Sequence, residues 1–201
     1  RDLSGYDALT FWAKATKGAT INEIGFGQDF GENKYQVAAF NLSISTGWKK
    51  YIIPIPDPSK LTQEKGLFWY SEGPEDGEGY TFWIDELQFE NLGTVAQPRP
   101  ALFSGEDVET AAFIGVDFIA FPLTQTFNLE NGLDQTVLAA AGYFDFLSSN
   151  TEVATINEEG LIAVVGTGSS KITASLNNVS AAGSLTVNSA GEFVAATTPK
   201  R

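Results

Sequence analysis

The sequence predicts an all-β chain made of two β-sandwich modules in tandem, and three observations support this fold class. Short runs of β-branched and aromatic residues are separated by Gly, Pro, Asn and Asp about every 8 to 12 residues, which is the strand spacing of a sandwich. No stretch shows the periodicity of an amphipathic helix. The composition changes near residue 103, because residues 1–103 hold all four Trp and 17 of the 25 aromatic residues.

Residues 1–94 form the first predicted module. Its expected strands cover residues 8–14, 20–27, 35–42, 48–55, 67–71 and 80–89. A closed sandwich of two sheets usually has about eight strands. We therefore expect further strands upstream of Arg1, so that this module is incomplete at its N-terminus.

Residues 104–188 form the second predicted module. Its expected strands cover residues 117–122, 125–129, 135–141, 144–147, 153–156, 161–165, 170–176 and 183–187. About seven short strands of this kind are the pattern of an immunoglobulin-like sandwich. Between the modules, residues 95–103 contain Pro98 and Pro100 and are predicted to be a linker. Residues 189–201 are small and polar and are predicted to be a linker or tail.

The composition excludes several classes of function. Twelve Lys and Arg residues face 25 Asp and Glu residues, so a net charge of −13 would repel nucleic acids and anionic membranes. The chain has no Cys and no His, which removes thiol nucleophiles, Cys/His zinc sites and every triad with a His base. The longest apolar run is far shorter than the roughly 20 residues that cross a bilayer. We expect no enzymatic activity, no nucleic acid partner and no membrane insertion by this segment.

The run from Ser148 to Ala174 resembles the signature of group 2 bacterial immunoglobulin-like domains. Val153 and Ile156 are expected to point inward, and Gly160 to form the turn of the hairpin that follows. The family usually has a Trp in the preceding strand, where this chain has Phe144-Asp145-Phe146. The resemblance implies a spacer domain of the kind found in secreted and surface proteins.

Three segments of the first half resemble the C-terminal part of a galactose-binding-like, jelly-roll carbohydrate-binding module. They are residues 1–14, 47–55 and 80–90, in the order that the family shows. A jelly-roll module before a bacterial immunoglobulin-like domain resembles the surface glycan-binding proteins of Bacteroidetes. This resemblance implies a polysaccharide or oligosaccharide ligand, further modules in the same polypeptide, and an extracellular or outer-membrane location. It also implies a structural calcium ion as a candidate cofactor, with Asp85 as its candidate ligand, because related jelly rolls often use an Asp in the last strand.

Sugar rings dock their C–H faces on exposed aromatic rings, so the outward-facing aromatic side chains are the candidate ligand platforms. Alternation along residues 8–14 places Trp12 and Lys14 on one face and Leu9, Phe11 and Ala13 on the other. The predicted carbohydrate-binding residues are Trp12, Lys14, Gln28, Trp69 and Trp83. Trp48 precedes a hydrophobic strand, so we expect it to pack in the core.

Alternatives remain open for the function of the chain. Neighbouring carboxylates such as Asp85 and Glu86 should point to opposite faces of a strand, so they do not form a glycosidase pair. We expect non-catalytic binding of a polysaccharide, with a β-glucan as one candidate. The first alternative is a pair of purely structural spacers, which buried positions for every Trp would favour. The second is a pair of accessory modules in a multimodular glycoside hydrolase.

Overall fold

The computed structural model describes residues 1–29, 31 and 33–193, and it is all-β, as the sequence predicts. Three short 3-10 helices cover Pro58–Lys60, Phe103–Gly105 and Ala141–Tyr143. The strands among the described residues are β1 (Ala8–Ala15), β2 (Ala19–Phe26), β3 (Val37–Ile44), β4 (Lys49–Pro54), β5 (Trp69–Ser71), β6 (Phe82–Glu90), β7 (Ala96–Leu102), β8 (Asp107–Ala112), β9 (Asp117–Ile119), β10 (Leu123–Asn128), β11 (Asp134–Ala139), β12 (Asp145–Ser148), β13 (Ala154–Ile156), β14 (Leu161–Val164), β15 (Gly168–Leu176), β16 (Val179–Ser180) and β17 (Ser184–Ser189).

The first half is a sandwich in which a three-stranded sheet, β4-β1-β6, packs on a sheet that contains β5, β2 and β3. Alternation along β1 buries Leu9, Phe11 and Ala13 completely or nearly so. The ring of Phe11 stacks on that of Tyr51, with centroids 5.5 Å apart. The predicted inward face of β1 is therefore confirmed, and the face that carries Trp12 points away from this core.

One sheet extends across the two halves of the chain. Its strand order is β5-β2-β3-β11-β10-β7, so strands from both predicted modules share it. The connection is short, because β11 pairs with β3 only through Leu138 with Ala38 and Ala139 with Val37. The prediction that residues 95–103 form a linker is wrong, because most of this segment is strand β7, which pairs with β10. The division into modules stays a prediction.

Close packing accompanies this connection. The Tyr143 hydroxyl is buried and donates a hydrogen bond of 3.0 Å to the carbonyl oxygen of Tyr35. Burial raises the pKa of Tyr143 well above its ordinary value. Lys34 forms an ion pair of 3.1 Å with Glu158 of the second half. Gly142 packs directly on the backbone of Lys34, where a Cβ atom would lie 2.4 Å from the Lys34 carbonyl oxygen.

The second half contains two further sheets, β12-β15-β17-β8 and β13-β14-β9. Val153 is buried as predicted, and Ile156 packs partly buried against the core. Gly160 has a φ of 74°, which a glycine adopts without strain. Strand β8 lies parallel to β17 and is absent from the predicted strands.

No helix among the described residues is long and apolar enough to span a membrane. Of the predicted tail at residues 189–201, Ser189 is the last residue of β17, and residues 194–201 lie outside the described part of the chain.

Candidate binding face of the three-stranded sheet

The outer face of sheet β4-β1-β6 carries four side chains that we call the tryptophan platform: Trp12, Lys14, Trp48 and Trp83. The register of the strands brings them together. Lys14 of β1 lies opposite Trp83 of β6. Ala13 lies opposite Lys49 at the first residue of β4, so Trp48 continues that pairing on the other side of Lys14. Because directly opposed residues share one face of a sheet, Trp48, Lys14 and Trp83 form a row across the three strands.

The three indoles of the platform are open to solvent. Trp12, Trp48 and Trp83 are 37%, 45% and 44% exposed, respectively. The prediction that Trp48 packs in the core is wrong, because Trp48 precedes β4 and extends the outer rather than the inner side of the sheet. Large apolar side chains grouped on one exposed face indicate a binding surface more than a folding requirement.

Lys14 links the two outer indoles of the row. Its Nζ lies 4.9 Å from the ring centroid of Trp48 and 5.2 Å from that of Trp83. An ammonium group at this distance is attracted to the π face of an indole, by about 0.5–1 kcal/mol at an exposed site. The two rings are thereby held on either side of one cation and within about 10 Å of each other.

The next part of the face is a hydrogen-bonded network around Glu90. Its Oε2 accepts from Thr10 Oγ1 at 2.6 Å and from Lys50 Nζ at 2.6 Å. Its Oε1 accepts from Gln88 Nε2 at 3.0 Å. The hydrogen bonds from Lys50, Thr10 and Gln88, together with the charge of Lys50, hold the pKa of Glu90 below its ordinary value. Lys50 and Asp85 are the residues directly opposite Trp12 on the two neighbouring strands. This network ties all three strands together beside the platform, on the same face of the sheet.

The structure places Trp69 and Gln28 away from the platform. Trp69 belongs to β5 of the other sheet, is half-buried, and donates its indole N–H to the carbonyl oxygen of Phe26 at 3.2 Å. Gln28 follows β2 of that same sheet and is exposed. The structure thus brings together Trp12, Lys14 and Trp83 of the five predicted residues and adds Trp48 to them.

Asp85 is exposed, and its Oδ1 accepts a hydrogen bond of 2.8 Å from its neighbour's backbone, the Glu86 N–H. Calcium takes six to eight oxygen ligands. Within the described residues, no group of three or more Asp, Glu, His or Cys side chains is placed to hold a metal. The described residues around Asp85 therefore do not by themselves fit a calcium ion. A calcium site here stays a prediction that needs oxygen ligands from elsewhere.

Two of the clefts that the described residues form are outside the platform. One, of about 740 Å³, lies where the two halves meet and is lined by polar and small residues that include Asn33, Lys34 and Glu158. The other, of about 460 Å³, lies beside β6 and is lined largely by apolar side chains such as Tyr6, Phe68 and Leu87. Neither cleft includes a tryptophan among its lining residues. Among the described residues, the exposed indoles and the charged groups beside them come together at the platform.

The platform is an open face rather than a pocket. It offers π surfaces to flat apolar faces, the Lys14 ammonium to acceptors and the Asp85 carboxylate to hydroxyl donors. No protein-family model matches the chain, and no curated protein matches its sequence.

Proposed function

We propose that the chain binds a polysaccharide without catalysis, through the tryptophan platform. The observation that carries the proposal is that Trp12, Trp48 and Trp83 are all exposed on one face of one sheet. Sugar rings present flat C–H faces that pack on indole rings, while ammonium and carboxylate groups hydrogen-bond to the hydroxyls. The platform supplies both kinds of contact side by side.

The open shape of the platform favours a polymer over a small sugar. Sites for small molecules are concave and enclose most of the ligand. An open face instead covers one side of each bound ring, so its affinity has to come from several rings contacted at once. Three indoles on one face suit a chain of sugar residues, with a β-glucan as one candidate among them.

The alternative of a purely structural spacer predicts a buried position for every Trp. The exposure of Trp12, Trp48 and Trp83 supports the binding function over that alternative. For the second half we propose a spacer role, which rests on the resemblance of residues 148–174 to bacterial immunoglobulin-like domains. The extracellular or outer-membrane location and the further modules rest on the same resemblance. Accessory modules of a glycoside hydrolase would bind glycans through this same platform.

Affinity gel electrophoresis tests the proposal. The chain and its Trp12→Ala, Trp48→Ala, Trp83→Ala triple variant are run through native gels that contain one soluble polysaccharide each. Alanine truncation of a Trp anchor costs roughly 2 kcal/mol, or about thirtyfold in affinity, so the triple variant should lose its retardation entirely. Phe40→Ala is the matched control, because Phe40 is 46% exposed on β3 of the other sheet. Retardation that survives in the triple variant, with circular dichroism showing that it is folded, would overturn the proposal.

A further inference from the structure

The strongest further observation is the environment of the Lys14 ammonium. Its Nζ lies over two indole rings, those of Trp48 and Trp83. Among the residues that the structure describes, no carboxylate oxygen lies within 4.0 Å of this nitrogen. An ammonium group has three N–H donors. The indole faces attract the positive charge but accept no conventional hydrogen bond, and the described residues supply no hydrogen-bond acceptor to these three donors.

The neighbouring cation on the same face is in a different state. Lys50 Nζ lies 2.6 Å from Glu90 Oε2, which neutralises it and satisfies one of its donors. The face therefore presents one lysine that is already paired and one, Lys14, that is held in place by aromatic rings with its charge available. A ligand anion would meet a cation that is positioned before the ligand arrives, which reduces the ordering cost of binding.

We infer that the tryptophan platform takes an acidic polysaccharide, whose anionic group is bound by the Lys14 ammonium while its sugar rings pack on the indoles. This inference rests on the proposed function. An anionic group on a sugar ring is a carboxylate or a sulfate ester, and both accept charge-assisted hydrogen bonds from an ammonium group. The ammonium can also donate to a neutral hydroxyl, but an anion adds charge–charge attraction to that hydrogen bond.

The net charge of −13 opposes a polyanion at long range. Screening limits that repulsion, because the Debye length is about 8 Å at physiological ionic strength. Contacts at the platform then decide the affinity. Asp85 lies opposite Trp12, two residues along the strands from the row that contains Lys14. The row Trp48–Lys14–Trp83 itself therefore carries a cation and no anion.

The experiment compares each acidic polymer with its own neutral form. The probes are polygalacturonate and alginate with their carboxyl-reduced derivatives, and a carrageenan with its desulfated derivative. Binding by the full chain is measured by isothermal titration calorimetry. The inference predicts that one acidic polymer binds at least roughly tenfold more tightly than its neutral form, because the anion adds charge–charge attraction that a neutral hydroxyl does not supply. The polymer that shows the effect identifies the anion as a carboxylate or a sulfate.

Variants assign the preference to Lys14. Lys14→Gln should abolish the tenfold ratio between acidic and neutral polymer, and Lys14→Arg should retain it. Lys65→Gln is the matched control, because it removes the same charge from an exposed lysine outside the platform and should leave the ratio unchanged. If Lys14 only held the indoles in place, its loss would weaken acidic and neutral polymers by the same factor and leave their ratio unaltered.

The possible failures are distinguishable. Equal affinity for acidic and neutral polymers, or a preference that persists in Lys14→Gln, would overturn the inference. Binding to the neutral forms alone that is lost in the triple Trp variant would overturn it while the proposed function stands. No binding to any of the polymers by a folded chain would overturn both.

Discussion

A substitution at Gly142 tests the packing between the two halves of the chain. A Cβ atom on this residue would lie 2.4 Å from the Lys34 carbonyl oxygen and 2.7 Å from Lys34 Cγ. Because the nearest atom belongs to the backbone, Gly142→Ala must push the 3-10 helix Ala141–Tyr143 away from the segment that leads into β3. Overpacking of this kind costs about 1–3 kcal/mol. The reduced entropy of the unfolded chain returns about 0.4–1 kcal/mol, so we expect a net loss of about 1–2 kcal/mol.

Thermal unfolding followed by circular dichroism measures this loss. For a chain of this size, 1 kcal/mol lowers the Tm by roughly 2–4 °C, so the Tm should fall by roughly 2–8 °C. Gly5→Ala is the matched control, because no atom lies within 4 Å of a Cβ on Gly5. A Tm for Gly142→Ala that equals or exceeds that of Gly5→Ala would refute the close packing of the two halves.

Two further predictions concern polar side chains. Gln125 is completely buried, and no group of the described residues hydrogen-bonds to its amide. Because burying an unpaired polar group is unfavourable, Gln125→Met should raise the free energy of unfolding by about 1–3 kcal/mol. A lower urea midpoint for this variant than for the wild type would contradict that prediction. The hydrogen bonds from Lys50 and Thr10 lower the pKa of Glu90. They therefore stabilise the fold fully at a pH above the ordinary Glu pKa of about 4.3. This contribution is lost as the pH falls through the lowered pKa of Glu90. The difference in urea midpoint between the wild type and Glu90→Gln should therefore be larger at pH 6 than at pH 3, and a difference independent of pH would count against it.

Most strands could be predicted from local pattern. Strand β1 is an example, since alternation along residues 8–14 correctly separates the buried Phe11 from the exposed Trp12. Strand β15 is another, because its buried Ile172 and Ala174 lie at alternate positions of the expected strand 170–176. Such strands are predictable because one face is buried and the side-chain period is two.

Strand β7 could not be predicted from its own residues. Pro98 and Pro100 lack backbone donors and indicated a linker, yet proline is tolerated in a strand at the end of a sheet. Strand β7 pairs along its length with β10, and it is the last strand of the six-stranded sheet. Likewise, the pairing of β11 with β3 joins residues about a hundred positions apart. Contacts of this kind depend on the tertiary fold, which the local pattern does not contain.

The candidate site could be predicted in part. Alternation indicated that Trp12 and Lys14 share an outer face, and the structure places Trp83 directly opposite Lys14. The prediction for Trp48 was wrong because it followed the hydrophobic residues after Trp48 rather than the alternation along residues 48–55, which separates Trp48 from the buried Tyr51 and Ile53. The proximity of Trp69 to the Phe26 carbonyl could not be predicted either, because it depends on the pairing of β5 with β2.

The exposed indoles of the platform are the proposed contact with a polysaccharide. Intrinsic tryptophan fluorescence of the full chain, titrated with the panel of acidic and neutral polymers, tests it most directly, because all four Trp lie in the first half. We expect a saturable change in the emission with at least one polymer, and no such change in the Trp12→Ala, Trp48→Ala, Trp83→Ala variant, which retains Trp69. Emission that stays constant with every polymer, in a chain shown to be folded, would contradict it.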